Sequence, residues 1–424
     1  MTKWTPKKIY YLAGGLVILA GLLITILFGM QNRFAWQREV LTTYLRGVFN
    51  PVQSIPTAVQ ASSIQQGTTP IVEMPTATIT ATQMEPTVTQ TPVPEHTEIP
   101  SPTPTEIPDR VILNSPAYEK QDINNCGPAT LAMYLKFYGW EGDQFTISDL
   151  IKPIPQDRNV NVEELDHYVR NYAGWLQTIY RVGGDIDLLK QLIAAGIPVM
   201  TEESFAFDES YWPNDDKWAG HYYLLNGYDD QRQAFLGQDS YYGADRWTSY
   251  ELLEEQWQSF NYVYTVIYYP FQEDIVKSIL GENWDRDINR QNALEKARQE
   301  TIDQPENAFA WFNLGSNLVY FGEYHDATLA FDRAREIGWP QRMLRYQFSP
   351  FMAYFHSFRI DDLMILTDYA LQRTPNSEEA LLWQGWGLYR SGKKMEALES
   401  FLLALDARPG YDDALYAINY VNQN

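Results

Sequence analysis

Only one cysteine, Cys126, occurs in 424 residues. That excludes an intramolecular disulfide and any cysteine-cluster metal site, so the fold must be held by its core, and no metal or organic cofactor is expected. Positive charge is also scarce, with 32 Lys and Arg against 54 Asp and Glu for a net charge of −22. No basic stripe is present that could release counterions, which argues against nucleic acid as a partner and leaves the acidity as a solvated surface. No Gly-x-x-x-x-Gly-Lys loop occurs, and only one long apolar run. The length is too great for one ordinary core and predicts two or three units.

The apolar run extends from Ile9 to Met30, follows Lys3, Lys7 and Lys8, and is long enough to cross a hydrocarbon core as a helix. Its length and the Gln31-Asn-Arg-Phe34 that follows suit an uncleaved anchor better than a signal peptide. Arg33, Arg38 and Arg46 beyond it weaken the positive-inside bias. From 51 to 108 the chain is mainly Thr, Pro, Gln, Ile and Glu, a composition that cannot bury enough apolar surface to fold. Such a Thr/Pro stalk stands on an outer membrane face. The expected order is therefore a cytoplasmic tip and transmembrane anchor (1–30), a juxtamembrane segment (31–50) and a disordered stalk (51–108), with the rest extracytoplasmic.

The chemistry concentrates after the stalk. In Gln121-Asp-Ile-Asn-Asn-Cys126-Gly-Pro-Ala-Thr-Leu-Ala-Met-Tyr-Leu-Lys-Phe-Tyr-Gly139, Asn124 and Asn125 are capping types, Pro128 suits a first helical turn and Gly139 a helix stop. Cys126 is thus placed at a helix N-terminus, where the dipole favours a thiolate. Of five histidines, His96 falls in the stalk, His325 and His356 in later helical segments, and His167 in a polar-faced helical pattern. His221 remains as the base. It opens an aromatic and aliphatic strand, His221-Tyr-Tyr-Leu-Leu-Asn-Gly-Tyr-Asp229, and a turn leads to Ala234-Phe-Leu-Gly-Gln-Asp239. A hairpin about that turn pairs His221 near residue 240 and brings Asp239 within its reach to orient the imidazole. Asp229, Asp230 and Asp245 are rivals. Gln121, five residues before Cys126, can aim a side-chain N–H at an oxyanion beside the Cys126 backbone N–H.

The run from Gln121 through Cys126-Gly-Pro-Ala129, with Gly196-Ile-Pro-Val199, Gly220-His-Tyr222 and Asp239, resembles the papain-like cysteine peptidases related to bacteriocin-processing leader peptidases, family thirty-nine of the cysteine class, over roughly 111–270. The resemblance implies Cys126 as nucleophile, His221 as general base and acid, Asp239 as orienting acid and Gln121 as oxyanion donor. The transporter and ATPase of the exporters in that family are not found here, so cleavage after a double-glycine leader is not implied. The segment from Phe205 to Trp218 is an aromatic, acidic insertion that can shape or cover the cleft, or pack as a surface loop.

Beyond about Asp285 two segments match in their Gly, Ala and Phe offsets: Trp311 to Gly315 with Gly322, Tyr324, Ala327, Phe331 and Ala334, and Leu381 to Gly385 with Gly392, Ala397, Phe401 and Ala404. They resemble tetratricopeptide repeats. A degenerate unit from Leu344 to Pro375, with Tyr354 and Ala370 as packing positions, fits between them, and a final helix from Tyr411 to Val421 caps the array. The expected fold is an α+β papain-like cysteine peptidase domain (109–272), an all-α tetratricopeptide-repeat solenoid (273–424) and one N-terminal transmembrane helix. The expected function is a membrane-anchored extracytoplasmic cysteine peptidase acting on a peptide or protein substrate, with a possible protein partner in the repeat groove. Two other readings stand beside it: a non-catalytic peptide-binding scaffold, and an acyl transferase of transpeptidase or transglutaminase type using the same residues.

Overall fold

The computed structural model describes residue 21 and residues 35–59, 107–152, 160–210 and 212–423. Among the described residues no helix is long and apolar enough to cross a membrane. The expected span Ile9–Met30 lies outside them except for Gly21.

Helix α1 (Ala35–Phe49) comes first. The mixed region then runs β1 (Arg110–Ile112), α2 (Cys126–Phe137), α3 (Gln144–Ile151), α4 (Val162–Tyr172), β2 (Gln177–Arg181), α5 (Ile186–Ala194), β3 (Val199–Ala206), β4 (Trp218–Asp229), β5 (Ala234–Asp239), β6 (Gly243–Ser249), α6 (Tyr250–Gln258) and β7 (Tyr264–Tyr268). The strands form one antiparallel sheet in the order β2-β7-β3-β4-β5-β6, with β1 added beside β4. Both faces are covered. Met200, Tyr222, Leu224 and Ile267 meet Leu131, Tyr134 and Leu135 of α2, whereas Val199, Tyr223, Leu225 and Val266 meet Leu189 and Leu192 of α5 and Trp257 of α6. Alternation along each strand divides its side chains between the two cores, which explains why β4 reads as a continuous apolar run.

The helical region follows with α7 (Glu273–Leu280), α8 (Arg286–Asp303), α9 (Ala308–Tyr320), α10 (Tyr324–Ile337), a 3₁₀ turn (Gln341–Arg345), α11 (Ser349–His356), α12 (Ile360–Arg373), α13 (Glu378–Arg390), α14 (Lys394–Ala407) and α15 (Asp412–Gln423). The expected boundary at 272/273 is displaced, because Val276 and Leu280 of α7 are buried in the α5 and α6 side of the sheet. In the hairpins α9/α10 and α13/α14 the matched residues meet. A Cβ on Gly315 would lie 2.7 Å from the Phe331 ring, and one on Gly385 2.4 Å from that of Phe401. Each glycine therefore gives up its side chain so that a phenylalanine can fill the gap between paired helices. Tyr354 and Ala370 are both buried in the hairpin α11/α12.

Two sequence expectations change here. Residues 35–59 do not stand apart as a juxtamembrane segment and the start of a stalk; they pack along the helical region. Tyr369 donates to the Gln53 carbonyl at 2.7 Å, Arg335 donates to those of Pro56 and Thr57, and Val59 N–H donates to Asp362 at 2.9 Å. Ile55 is buried among Phe312, Phe331 and Tyr369. A Thr/Pro-rich composition did not prevent this, since an extended backbone needs only external hydrogen-bond partners. The insertion before His221, for its part, forms the tip of the β3/β4 hairpin and lies between the sheet and the helices. Its Asp215 faces Arg342 at 2.8 Å, Arg373 at 3.2 Å and Arg345 at 3.4 Å, all buried.

Burial alone would raise the Asp215 carboxyl, but Arg345, Arg342 and Arg373 outweigh it and hold it well below the usual carboxylate range. The stability this contributes is full above the unfolded carboxyl value and is lost only as pH falls through the much lower folded value. Asp215→Asn leaves three guanidinia without their counter-charge and is expected to cost about 3 kcal/mol. Urea denaturation at pH 7 and at pH 3 checks this: the gap between wild type and variant should be wide at pH 7 and only partly narrowed at pH 3, where the folded carboxyl is still ionised.

Candidate active site

Helix α2 begins at Cys126 because Pro128 fits its first turn, and it ends where Gly139 takes φ +84°. The capping expectation needs correction. Asn125 makes no side-chain cap bond; its amide donates to Gln144 Oε1 at 2.9 Å instead, and Asn124 adopts φ +55°. Gln144 Oε1 also accepts from Asp122 N–H at 2.8 Å. The loop before the nucleophile is therefore fixed by a buried amide of α3, and no side chain caps the first-turn N–H groups of α2.

His221 does not open its strand as expected; β4 begins at Trp218, and His221 is its fourth residue, 2% exposed. Its Nε2 meets Asp239 Oδ1 at 3.0 Å, and the same Oδ1 accepts the backbone N–H groups of Tyr241 and Tyr242 at 2.8 Å each. Burial raises the Asp239 carboxyl, yet His221 and these N–H groups bring it below its ordinary value, so Nε2 is the donor. Burial also disfavours the charged imidazole, but the interactions with Asp239 and Cys126 outweigh it and push His221 up to about 10. With Nε2 committed to Asp239, Nδ1 is the nitrogen left for Cys126.

The contact depends on an irregularity that the sequence did not reveal. From the turn, β4 and β5 pair as Asp229↔Ala234, Tyr228↔Phe235 and Gly227↔Leu236; past Asn226 the pairing becomes Leu225↔Gly237, Leu224↔Gln238 and Tyr223↔Asp239. A regular hairpin would set Asp239 opposite Leu224, on the face away from His221. The extra residue, Asn226, turns it to the Tyr223 face, diagonal to His221 and within side-chain reach. Asn226 is fully buried, donates to the Leu113 carbonyl and accepts from Gln238.

Gln121 lines the same cleft, of about 170 Å³, together with Cys126 and His221. Its side-chain Oε1 accepts from Ser240 Oγ at 2.9 Å and its backbone N–H donates to the Ser240 carbonyl at 2.9 Å, which leaves the side-chain NH₂ directed away from Ser240 Oγ. The four expected residues are thus brought together. The rivals are engaged otherwise: Asp229 with Arg110 and Arg232, Asp230 with Lys190 and Tyr250, and Asp245 with Ser115 and Gln238. His167 is exposed on α4 beside Asn171.

Sequence reasoning passed over two groups. Glu202 and Glu203 are buried on β3, and Glu203 pairs across the sheet with His221. Burial pushes Glu202 well up and Glu203 up to about 8, the latter against the opposing pull of His221. Arg342, Arg345 and Tyr346 of the helical region form part of the cleft wall, as do Phe205, Phe207 and Trp212 of the insertion. The insertion is therefore both packed and cleft-forming. The alternation of β3 could have placed its glutamates; nothing local could have placed the arginines. Among the described residues no cluster of His, Cys, Asp and Glu could hold a metal.

Residues 112–265 match the family described as the Peptidase_C39 like family. The match supports a papain-like C39 peptidase fold and a cysteine peptidase for this segment, followed here by a helical region. Similar solved structures include a C39-like peptidase from Bacillus anthracis, at 18% identity over 37% of this chain and 96% of that one, TM-score 0.30. Another is the peptidase domain of Streptococcus ComA, a bi-functional ABC transporter involved in a quorum-sensing pathway, at 16% identity over 37% and 98%, TM-score 0.28. A third is xylellain, a cysteine protease from Xylella fastidiosa, at 18% identity over 39% and 87%, TM-score 0.31. No curated protein matches.

Because the folded value of His221 lies above its unfolded one, its stabilising contribution is complete below about pH 6.5 and is lost as pH rises through about 10. NMR titration of the five imidazoles should show one that stays protonated well past neutrality, and Asp239→Asn should lower its midpoint by a unit or more, roughly. Deleting Asn226 removes the surplus residue but keeps Tyr223 opposite Asp239, so the same titration should still read a partnered His221, whereas adding a second residue beside Asn226 should turn Asp239 to the wrong face and lower the midpoint.

Proposed function

We propose that this chain is a cysteine peptidase in which Cys126, His221, Asp239 and Gln121 act together, anchored by the 9–30 helix with its N-terminus cytoplasmic and the peptidase and helical regions outside. The observation that carries the reading is geometric: Cys126 and His221 line one cleft, and the His221 Nε2 meets the Asp239 carboxylate at 3.0 Å. Cys126, at the N-terminus of α2, supplies the nucleophile that peptidase chemistry requires.

The steps follow from these groups. The Cys126 sulfur adds to the carbonyl carbon of a peptide bond, and the negative charge moves to oxygen. The first-turn N–H of α2 and the Gln121 amide, aimed by Ser240, receive it. The imidazolium gives its proton to the leaving nitrogen as the C–N bond breaks, leaving a thioester and neutral imidazole. Water then adds to the thioester while His221 takes its proton, and collapse releases the carboxylic acid product and restores the thiolate–imidazolium pair. Asp239 keeps the ring oriented throughout.

The helix pairs are read as tetratricopeptide repeats, and the reading is supported by the shared offset between each tight glycine and the phenylalanine that fills against it. They would bind a partner or a substrate segment on their concave side.

Full-length protein in detergent, incubated with a mixed peptide library, should produce new carboxyl termini carrying one oxygen from ¹⁸O-labelled water. Products joined to an added amine would instead indicate acyl transfer. Cys126→Ala and His221→Ala should each lower kcat/KM by at least about 10³-fold. A Cys126→Ala protein that cleaves as well as wild type would sink the proposal. A wild type that binds library peptides yet never cuts them would favour the non-catalytic scaffold.

A further inference from the structure

The cleft is built by two parts of the chain with opposite chemistry. Beside the imidazole lies a row of rings: Phe205 is 5.2 Å from His221 between centroids, and Phe207 is 4.7 Å from Phe205. The row ends in charge, with the Arg342 guanidinium 5.6 Å above the Phe207 ring. Arg342 and Arg345 both line the cleft.

Three guanidinia, those of Arg342, Arg345 and Arg373, face the single carboxylate of Asp215, and the neighbouring Asp216 accepts the Arg342 backbone N–H. Three cationic side chains thus gather around two acidic ones, Asp215 and Asp216. Lys120 also lines the cavity, and Asp122 is the one acidic residue among the described residues that do. This is a local inversion in a chain of net charge −22. Arg342 is also preorganised: its Nε and one terminal nitrogen are held by Asp215 at 3.3 and 2.8 Å, so little side-chain entropy remains to be lost on binding an anion.

A peptide whose carbonyl is seated at Cys126 and whose chain follows the ring row brings a nearby substituent to Arg342. We infer that the cleft selects peptides carrying a carboxylate close to the reacting bond, next to an apolar or aromatic residue, with Arg342 as the recognising cation. This rests on the peptidase reading of the same cleft. The carboxylate can be an Asp or Glu side chain or a free C-terminus.

The test is competition binding to full-length Cys126→Ala protein of positional-scanning octapeptides, with Glu or Gln fixed at each position in turn and with free or amidated C-termini. The expected result is at least about tenfold tighter binding for Glu at one position, or for the free C-terminus, falling with added salt. Arg342→Gln should bring that ratio towards one. Since Arg342 also holds the hairpin tip, Arg345→Gln is measured in parallel, and the Glu-to-Gln change in the peptide needs no variant. Equal binding of acidic and amide peptides at every position and both termini would overturn the inference while leaving the peptidase proposal intact. Selective binding of acidic peptides that wild type then fails to cut would support the inference and remove the peptidase proposal.

Discussion

Asp215 is where three parts of the molecule meet. Its hairpin carries cleft residues at its base, its arginines come from the 3₁₀ turn and α12, and one of them, Arg373, also donates to the Asn50 carbonyl of the N-terminal segment. A buried carboxylate is costly unless it is paired, so the fold can place one at the tip of an exposed-looking loop only if the helical region is present to meet it. Removing the helices would therefore leave the insertion with a charge it cannot bury and the cleft without a wall. Ring packing supports the same junction, with Trp218 stacked on Phe260 and against Phe309, and Asn261 exchanging amide hydrogen bonds with Asn317.

The site itself turns on a smaller device. Cys126, His221 and Gln121 are set by a helix start, a strand and a loop that accepts a neighbouring backbone. Asp239 is set by one surplus residue halfway along a strand. A bulge changes the parity of everything beyond it, and here it is held by a buried amide that bonds to Leu113, just past β1, on one side and to Gln238 of β5 on the other. The two glutamates beneath add a reserve of buried carboxyl groups near the imidazole, and the one directly across from it carries an oxygen with no hydrogen-bond partner.

Local signals were legible where a residue's surroundings come from its own neighbours. Pro128 and Gly139 bound α2, the apolar run after Gly220 is β4, and the Gly and Phe offsets place the tight contacts of two helix pairs. Asp239 could be chosen from its distance along the hairpin, but the register that makes the choice work depends on Asn226, and an Asn-Gly step in a strand reads more readily as a turn. The composition of 51–59 resembles the rest of its Thr/Pro-rich stretch, and only the partners it meets, Arg335, Asp362 and Tyr369, distinguish it. Arg342 and Arg345 lie more than a hundred residues from His221, in a segment whose local pattern says only helix, so their place at the cleft is a product of tertiary packing alone.

The strap formed by residues 35–59 alters the meaning of the stretch that follows it. That stretch leaves the folded body at residue 59 and rejoins it at residue 107, so it is a handle with both feet on one object. Residues 35–59 are held to the helical region by Tyr369, Arg335 and Asp362, so a single cut between 59 and 107 would leave the two sides joined through these contacts.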